Sequence, residues 1–236
     1  MSVDKMFEQH WKSFTSLNIP IFAVYNYSYA TTVQKAITDA RAVIALLDGR
    51  KTAVCLDVED ECQANLGESL IHIINAYKDV IEGAGYPFLL YTGQAFYNSH
   101  IKPYADLLEC TNLWIARYYK GYDMFEFADD PNQDYKPMKH IISWLYTSSG
   151  HLNKCSGNYD FNIIYKDIDT NHSPISQGKV CTMGSNLNVR ETPVNGRVIK
   201  KLSNNTIVNL IGIDPESGWY KVANGGYVSP QYIVKD

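Results

Sequence analysis

Hydrophobic and polar positions alternate in two rhythms over the first 160 residues of the chain. Phe7, Trp11 and Phe14 recur at i, i+4 and i+7, which predicts a helix ending before Asn18-Ile19-Pro20. Residues 21–27 follow as an apolar, β-branched and aromatic run that predicts a strand. Val33, Ala36, Ile37, Ala40, Val43, Ile44 and Leu47 then lie on one helical stripe, with Thr31 or Thr32 available as N-cap and Gly49 just beyond the end. A second run, residues 53–59, reads as a buried strand. Leu66, Leu70, Ile73, Ile74, Tyr77 and Ile81 mark another helix, which ends at Gly83 or Gly85 and leads into the strand Phe88-Leu89-Leu90-Tyr91. Further strands are predicted at residues 113–116, 141–146 and 158–161, and helical cover thins out after Asn98. Alternating strands and helices predict a parallel sheet, and so many units favour a barrel over an open sheet.

The rhythm changes after residue 175. Short strands are predicted at Leu187-Asn188-Val189-Arg190, Val198-Ile199, Ile207-Val208-Asn209-Leu210-Ile211, Trp219-Tyr220-Lys221-Val222 and Tyr227-Val228, separated by Gly-, Pro-, Asn- and Ser-rich turns. Five short strands in about 60 residues predict a small all-β barrel. The polar stretch from Thr170 to Gly178, with Pro174 inside it, reads as the linker. The chain therefore divides into a first domain over residues 1–168, a linker over 169–178 and a second domain over 179–236. Charge divides with it: residues 1–175 carry 14 Lys/Arg against 21 Asp/Glu, a balance of -7, and residues 176–236 carry 7 against 4, a balance of +3.

The chemistry concentrates in Ala53-Val54-Cys55-Leu56-Asp57-Val58-Glu59. Side chains alternate across a strand, so Val54, Leu56 and Val58 share one face while Ala53, Cys55, Asp57 and Glu59 share the other. Acids at i and i+2 have Cα atoms roughly 6.6 Å apart and project the same way. Two like charges that close resist joint ionisation, leaving one as a proton donor near neutral pH and the other as a carboxylate. Glycoside hydrolysis needs that division of labour; a strand ending at a solvated polar rim is the plainer alternative. At the carboxyl ends of the other strands stand Tyr25, Tyr27, Tyr91, Trp114, Arg117, Trp144 and Asp160, which in a barrel would converge on one cleft.

Composition narrows the function classes. A net charge of -4 argues against a general nucleic-acid binder, and no apolar run approaches the roughly 20 residues of a membrane span. The five cysteines and six histidines are scattered, with no metal-ligand spacing, so no metal and no cofactor is expected. Eighteen tyrosines and four tryptophans suit a saccharide cleft, because flat aromatic faces pack against sugar rings. The start, Met1-Ser2-Val3-Asp4-Lys5, has no apolar signal core, so action outside the cell would require release by lysis or holin-type export.

Six strings in order carry a family resemblance: residues 22–30 (Phe-Ala-Val-Tyr-Asn-Tyr-Ser-Tyr-Ala), Leu56-Asp57-Val58-Glu59, Tyr91-Thr92-Gly93, residues 113–118 (Leu-Trp-Ile-Ala-Arg-Tyr), residues 144–150 (Trp-Leu-Tyr-Thr-Ser-Ser-Gly) and Asn158-Tyr159-Asp160-Phe161-Asn162. The chain resembles glycoside hydrolase family 25, the lysozyme-type N-acetylmuramidases of bacterial autolysins and phage endolysins. The resemblance implies an α/β, TIM-like barrel that acts on bacterial peptidoglycan. It further implies Glu59 as general acid, Asp57 as the carboxylate that orients the substrate's own acetamido group, and Asp160 as the acid on the last strand. Tyr25, Tyr27, Tyr91, Trp114, Arg117 and Trp144 would bind the saccharide.

Family members normally begin with two further strands, the first carrying an Asp-x-Ser. This chain is expected to form a barrel lacking its first two strands, with exposed sheet edges. A homo-oligomer or a second chain completing the barrel follows as a partner, and a catalytically silent wall-binding or assembly subunit follows as the alternative function. The second domain resembles the bacterial SH3-like domain in its Leu-Asn-Val-Arg, Gly-Trp-Tyr-Lys-Val and Gly-Tyr-Val-Ser-Pro-Gln-Tyr-Ile pattern, which implies cell-wall binding.

Overall fold

The computed structural model describes residues 2–118, 125–126, 131–168, 170, 176–214, 216–222 and 225–235. The first rhythm folds as α1 (Phe7–Ser16), β1 (Ala23–Tyr27), α2 (Val33–Leu47), β2 (Ala53–Asp57), α3 (Glu68–Gly83), β3 (Phe88–Gly93), β4 (Leu113–Ala116), β5 (Phe125–Glu126), β6 (Ser143–His151) and β7 (Tyr159–Ile164). Helix α2 starts where a cap was available: the Thr32 side chain accepts from the Lys35 amide at 3.2 Å. It stops where Asp48 and Gly49 both take positive φ, 45° and 79°.

Strands β1, β2, β3, β4 and β6 are neighbours in that order and run parallel, with β5 also parallel against the end of β6. The expectation of uniformly parallel strands fails at β7, which pairs antiparallel with β6. Only seven residues separate His151 from Tyr159, too few for a crossover and enough for a hairpin-like return. The result is a curled half-barrel rather than a closed ring. Among the described residues β1 pairs only with β2, and β7 only with β6.

The main core lies between the outer face of this sheet and the helices. It holds Val54, Leu56, Leu70, Ile73, Ile74, Tyr77, Phe88, Leu90, Ile115 and Trp144. Each such side chain stabilises the fold by about 1.5–3 kcal/mol relative to exposure. A smaller cluster on the inner face holds Ala53, Cys55, Leu89 and Ile142, with Phe22, Tyr91 and Trp114 packed on it. Helix α1 has no fully buried residue and meets this core only at its edge, through the partly buried Phe7 and Trp11.

The remaining strands form a separate antiparallel sheet: β8 (Ser176–Val180), β9 (Leu187–Arg190), β10 (Val198–Leu202), β11 (Ile207–Ile213), β12 (Tyr220–Val222), β13 (Tyr227–Val228) and β14 (Ile233–Lys235). Their order is β10-β9-β13-β12-β11-β8-β14 around a core of Val180, Leu187, Val189, Leu210 and Val228. Strand β8 begins inside the stretch expected as linker, since Ser176-Gln177-Gly178 bond to β11 on one side and Gly178 to β14 on the other. Gly178 serves packing there rather than flexibility: a Cβ would overlap the Ile233 side chain.

The two units touch along a seam of small residues. A Cβ on Gly212 would overlap the Gly83 carbonyl, and one on Gly85 would stand 2.6 Å from the Ile211 carbonyl oxygen. Arg41 of α2 pairs with Glu216 at 2.5 Å across the same junction.

Candidate active site

Strand β2 is buried at all five positions. Its alternation sends Ala53, Cys55 and Asp57 to the inner face, beside Leu89 and Tyr91 of β3. Two backbone bonds pin its end. The Ser28 amide donates to the Asp57 carbonyl and the Val58 amide donates to the Tyr91 carbonyl, both at 2.9 Å. The extended register therefore persists one residue past the strand, and Glu59 returns to the side of Asp57.

Asp57 is 8% exposed, and its Oδ1 is buried with no hydrogen-bond partner among the described residues. Burial first, and the neighbouring Glu59 charge second, push its carboxyl up to about 7. Burial raises Glu59 as well, while the Gly93 backbone N–H, donating to its carboxylate, works in the opposite direction. The two acids thus form a coupled pair that retains a proton toward neutral pH, held more firmly by the more buried member.

Tyr91 joins this pair to the far side of the cleft. Burial and the charges of Glu59, Asp57 and Asp160 all raise its phenol. In a flat sheet Asp57 on β2 and Asp160 on β7 would lie four strands, about 19 Å, apart. One ring can feel both because the sheet curls. Asp160 shares the inner side of β7 with Asn162, since Tyr159, Phe161 and Ile163 pack into the outer core. Its own carboxyl is raised by partial burial. Trp114 stands edge-on to Tyr91, with ring centroids 5.7 Å apart at 89°, and donates its indole N–H to Asn162 Oδ1 at 2.8 Å.

Tyr27 lies at the same rim. Its hydroxyl donates to Asp60 Oδ2 at 3.2 Å, and burial together with the Asp60 charge pushes its phenol up to about 12. The loops after β1 and β2 are braced by Gln63, fully buried, whose amide donates to Ser28 Oγ and to the Ala30 carbonyl.

Two expected site residues, Trp144 and Arg117, stand apart from the acids, and Tyr25 shares the side of Tyr27 but lies on the open edge. Trp144 does not reach the cleft: it is fully buried on the outer face, stacked edge-on to Tyr146, and donates its indole N–H to the Arg117 carbonyl at 2.7 Å. Tyr25 is 74% exposed on the edge strand β1. Arg117 directs its guanidinium to Tyr135, donating to that residue's carbonyl at 2.8 Å and lying over its ring. Four contributors have no role assigned from the sequence: Gly93 and Asn162, which stand inside the family strings, and Asp60 and Gln63, which stand outside them. Of these only Asn162 could have been found, from its place two residues after Asp160 on the same face.

Among the described residues no group of three or more His, Cys, Asp or Glu is placed to hold a metal ion, and no helix is long and apolar enough to cross a membrane.

The class of fold and the acid pair on its second described strand meet in one family. The chain belongs to the glycosyl hydrolases family 25, whose model matches residues 1–155. Several solved structures share the fold at low identity. GHIP, a glycosyl hydrolase 25 of Streptococcus pneumoniae, is 21% identical with a TM-score of 0.54 over 72% of this chain and 69% of that one. The spore cortex lytic enzyme SleM of Clostridium perfringens is 21% identical with a TM-score of 0.55, over 100% of this chain and 86% of that one. The modular Cpl-1 endolysin, solved with a peptidoglycan analogue, is 16% identical with a TM-score of 0.54, over 96% of this chain and 53% of that one. No curated protein matches the chain.

Proposed function

We propose that this chain is a peptidoglycan hydrolase of lysozyme type, an N-acetylmuramidase that cleaves the β-1,4 bond between N-acetylmuramic acid and N-acetylglucosamine with retention. The observation that carries this reading is the buried Asp57 Oδ1 that accepts no hydrogen bond among the described residues. A buried acceptor without a donor is costly, and an incoming amide N–H relieves it. The acetamido group of the substrate is such a donor.

This contact sets the order of events. In the free protein Asp57 is the firmer holder of the pair's proton. An acetamido N–H donating to Asp57 favours its charged form, and the proton is left with Glu59. Glu59 then protonates the leaving glycosidic oxygen as the acetamido oxygen attacks the anomeric carbon, the substrate-assisted variant of retaining hydrolysis. Asp57, now a carboxylate, stabilises the cationic ring that forms. Glu59, reset as a base, activates the water that opens it. Asp160 and Tyr91 complete the polar wall, and Tyr27 and Trp114 supply flat faces for the sugars.

The second unit, with its SH3-like pattern and charge balance of +3, serves on this reading as the anchor to an anionic cell wall. Action is then extracellular, at bacterial peptidoglycan. The test is loss of turbidity of Gram-positive walls together with release of new reducing ends. Glu59→Gln should abolish both with the circular dichroism spectrum unchanged, and persistent lysis by that variant removes Glu59 from its role.

A catalytically silent wall-binding or assembly subunit is the second reading, favoured by the β1 edge. A groove of about 710 Å³ runs there between α1, α2 and β1, lined by Phe7, Trp11, Phe14, Val24, Tyr25 and Asn26. A homo-oligomer or a second chain covering this edge would complete the barrel. Light scattering on the purified chain decides the state, and sedimentation with walls without reducing-end release would favour the silent subunit.

A further inference from the structure

Asn162 belongs to no string that chemistry alone would single out, and its side chain is exposed. Its carboxamide oxygen nevertheless receives the Trp114 indole N–H at 2.8 Å, joining β7 to β4 across 48 residues of sequence. Water would satisfy an indole N–H at such a site equally well, so the bond adds little to stability. Its effect is to fix a plane. Phe22 also meets that indole edge-on, at 5.9 Å and 76°, as Tyr91 does at 5.7 Å and 89°. With two rings packed against it and its nitrogen held, the indole has one orientation left. Tyr91, the ring that feels both Asp57 and Glu59, leans on it.

We propose that Asn162 is a positioning residue for saccharide binding: by holding the indole nitrogen of Trp114 it sets the orientation in which Trp114 and Tyr91 receive a sugar ring beside the acid pair. The proposal rests on the saccharide-cleft reading given above. It concerns residues outside the proton-transfer pair, so it affects affinity ahead of chemistry. A sugar that stacks on a held indole loses less freedom in binding than one that must first order the ring.

The experiment compares wild type, Asn162→Leu, Asn162→Asp, Trp114→Phe and the Leu/Phe double variant, with solubilised peptidoglycan fragments as substrate. Asn162→Leu keeps the shape and removes the acceptor; because residue 162 is exposed, the variant should fold as wild type does. It should raise KM by about fivefold to tenfold, the size of one lost hydrogen bond, with kcat within about twofold. Asn162→Asp retains an acceptor oxygen at the same reach and should restore KM. In the Trp114→Phe background, which has no indole N–H, adding Asn162→Leu should change nothing further. The Trp114 indole resonance in a nitrogen-15 correlation spectrum, assigned by its absence in Trp114→Phe, should shift and exchange faster in Asn162→Leu.

An active wild type with an unaltered KM in Asn162→Leu overturns the positioning role alone, as does an equal loss in the Trp114→Phe background. A wild type that binds fragments without cleaving them leaves the test intact, with dissociation constants replacing KM. A wild type that neither binds nor cleaves overturns the saccharide-cleft reading and this proposal with it.

Discussion

Two neighbouring strand and helix pairs in the same sheet have opposite fates. Strand β2 is buried at all five positions, and α3 buries Leu70, Ile71, Ile73, Ile74, Tyr77, Val80 and Ile81. Strand β1 buries none of its five residues and α1 none of its ten. Both helices have an apolar stripe, and Phe14 of α1 remains 42% exposed while Ile74 of α3 is fully covered. An apolar periodicity therefore specifies which face can be buried, and only the neighbouring elements determine whether it is. The acid pair stands on the well-packed side of this divide, where the scaffold can hold two carboxyls in an environment that raises both.

The comparison can be tested in order of decreasing effect. Glu59→Gln, which removes the proposed proton donor at the packed edge, should lower turnover by roughly 10³-fold, read as reducing ends released per minute. Ile74→Ala should cost about 2–5 kcal/mol in urea unfolding, because the α3 stripe has no room to collapse without leaving a cavity. Phe14→Ala on α1 should cost under about 1 kcal/mol. Equal costs for the two substitutions would erase the distinction between the pairs.

Asp57→Asn gives an effect of intermediate size whose sign depends on pH. The folded protein holds the Asp57 proton up to about 7, whereas the unfolded chain releases it near 3.9. The stability this proton contributes is complete below about pH 4 and is lost as pH rises through about 7. Asp57→Asn should therefore be more stable than wild type at pH 8, by about 4 kcal/mol at most, with no such advantage at pH 4. On the proposed mechanism turnover should fall in the same variant, since the acceptor for the acetamido N–H is weakened. Hydrogen exchange gives the smallest contrast: amides of α1 should exchange by local opening, well before those of α3.

Much of this divide could be read from the sequence. The boundaries of β4, the Thr32 cap of α2 and the placement of Asp57 and Glu59 on one face follow from local rules, because periodicity and capping depend on residues a few positions apart. The side taken by Trp144 is not legible in the sequence because β6 is buried on both faces from Ser143 to Thr147, so alternation does not indicate which side faces the cleft. Strand β8 was hidden by its own composition, since Ser176, Gln177 and Lys179 resemble a linker until β11 and β14 pair on either side. The antiparallel turn into β7 was visible only in the shortness of its connection. Gln63 and Asn162 act on partners 33 to 48 residues away, and no local pattern encodes such a meeting.

The seam between the units has a mechanical consequence. Gly83 and Gly85 precede β3, while Tyr91 and Gly93 close it, so the foothold and the mouth lie at opposite ends of a strand about 20 Å long. If the second unit is the anchor, as proposed, the chain presents its acids away from the point of attachment. At Gly212 the two units approach so closely that a Cβ would overlap the Gly83 carbonyl. On that reading the length of β3 sets the distance between anchor and acids.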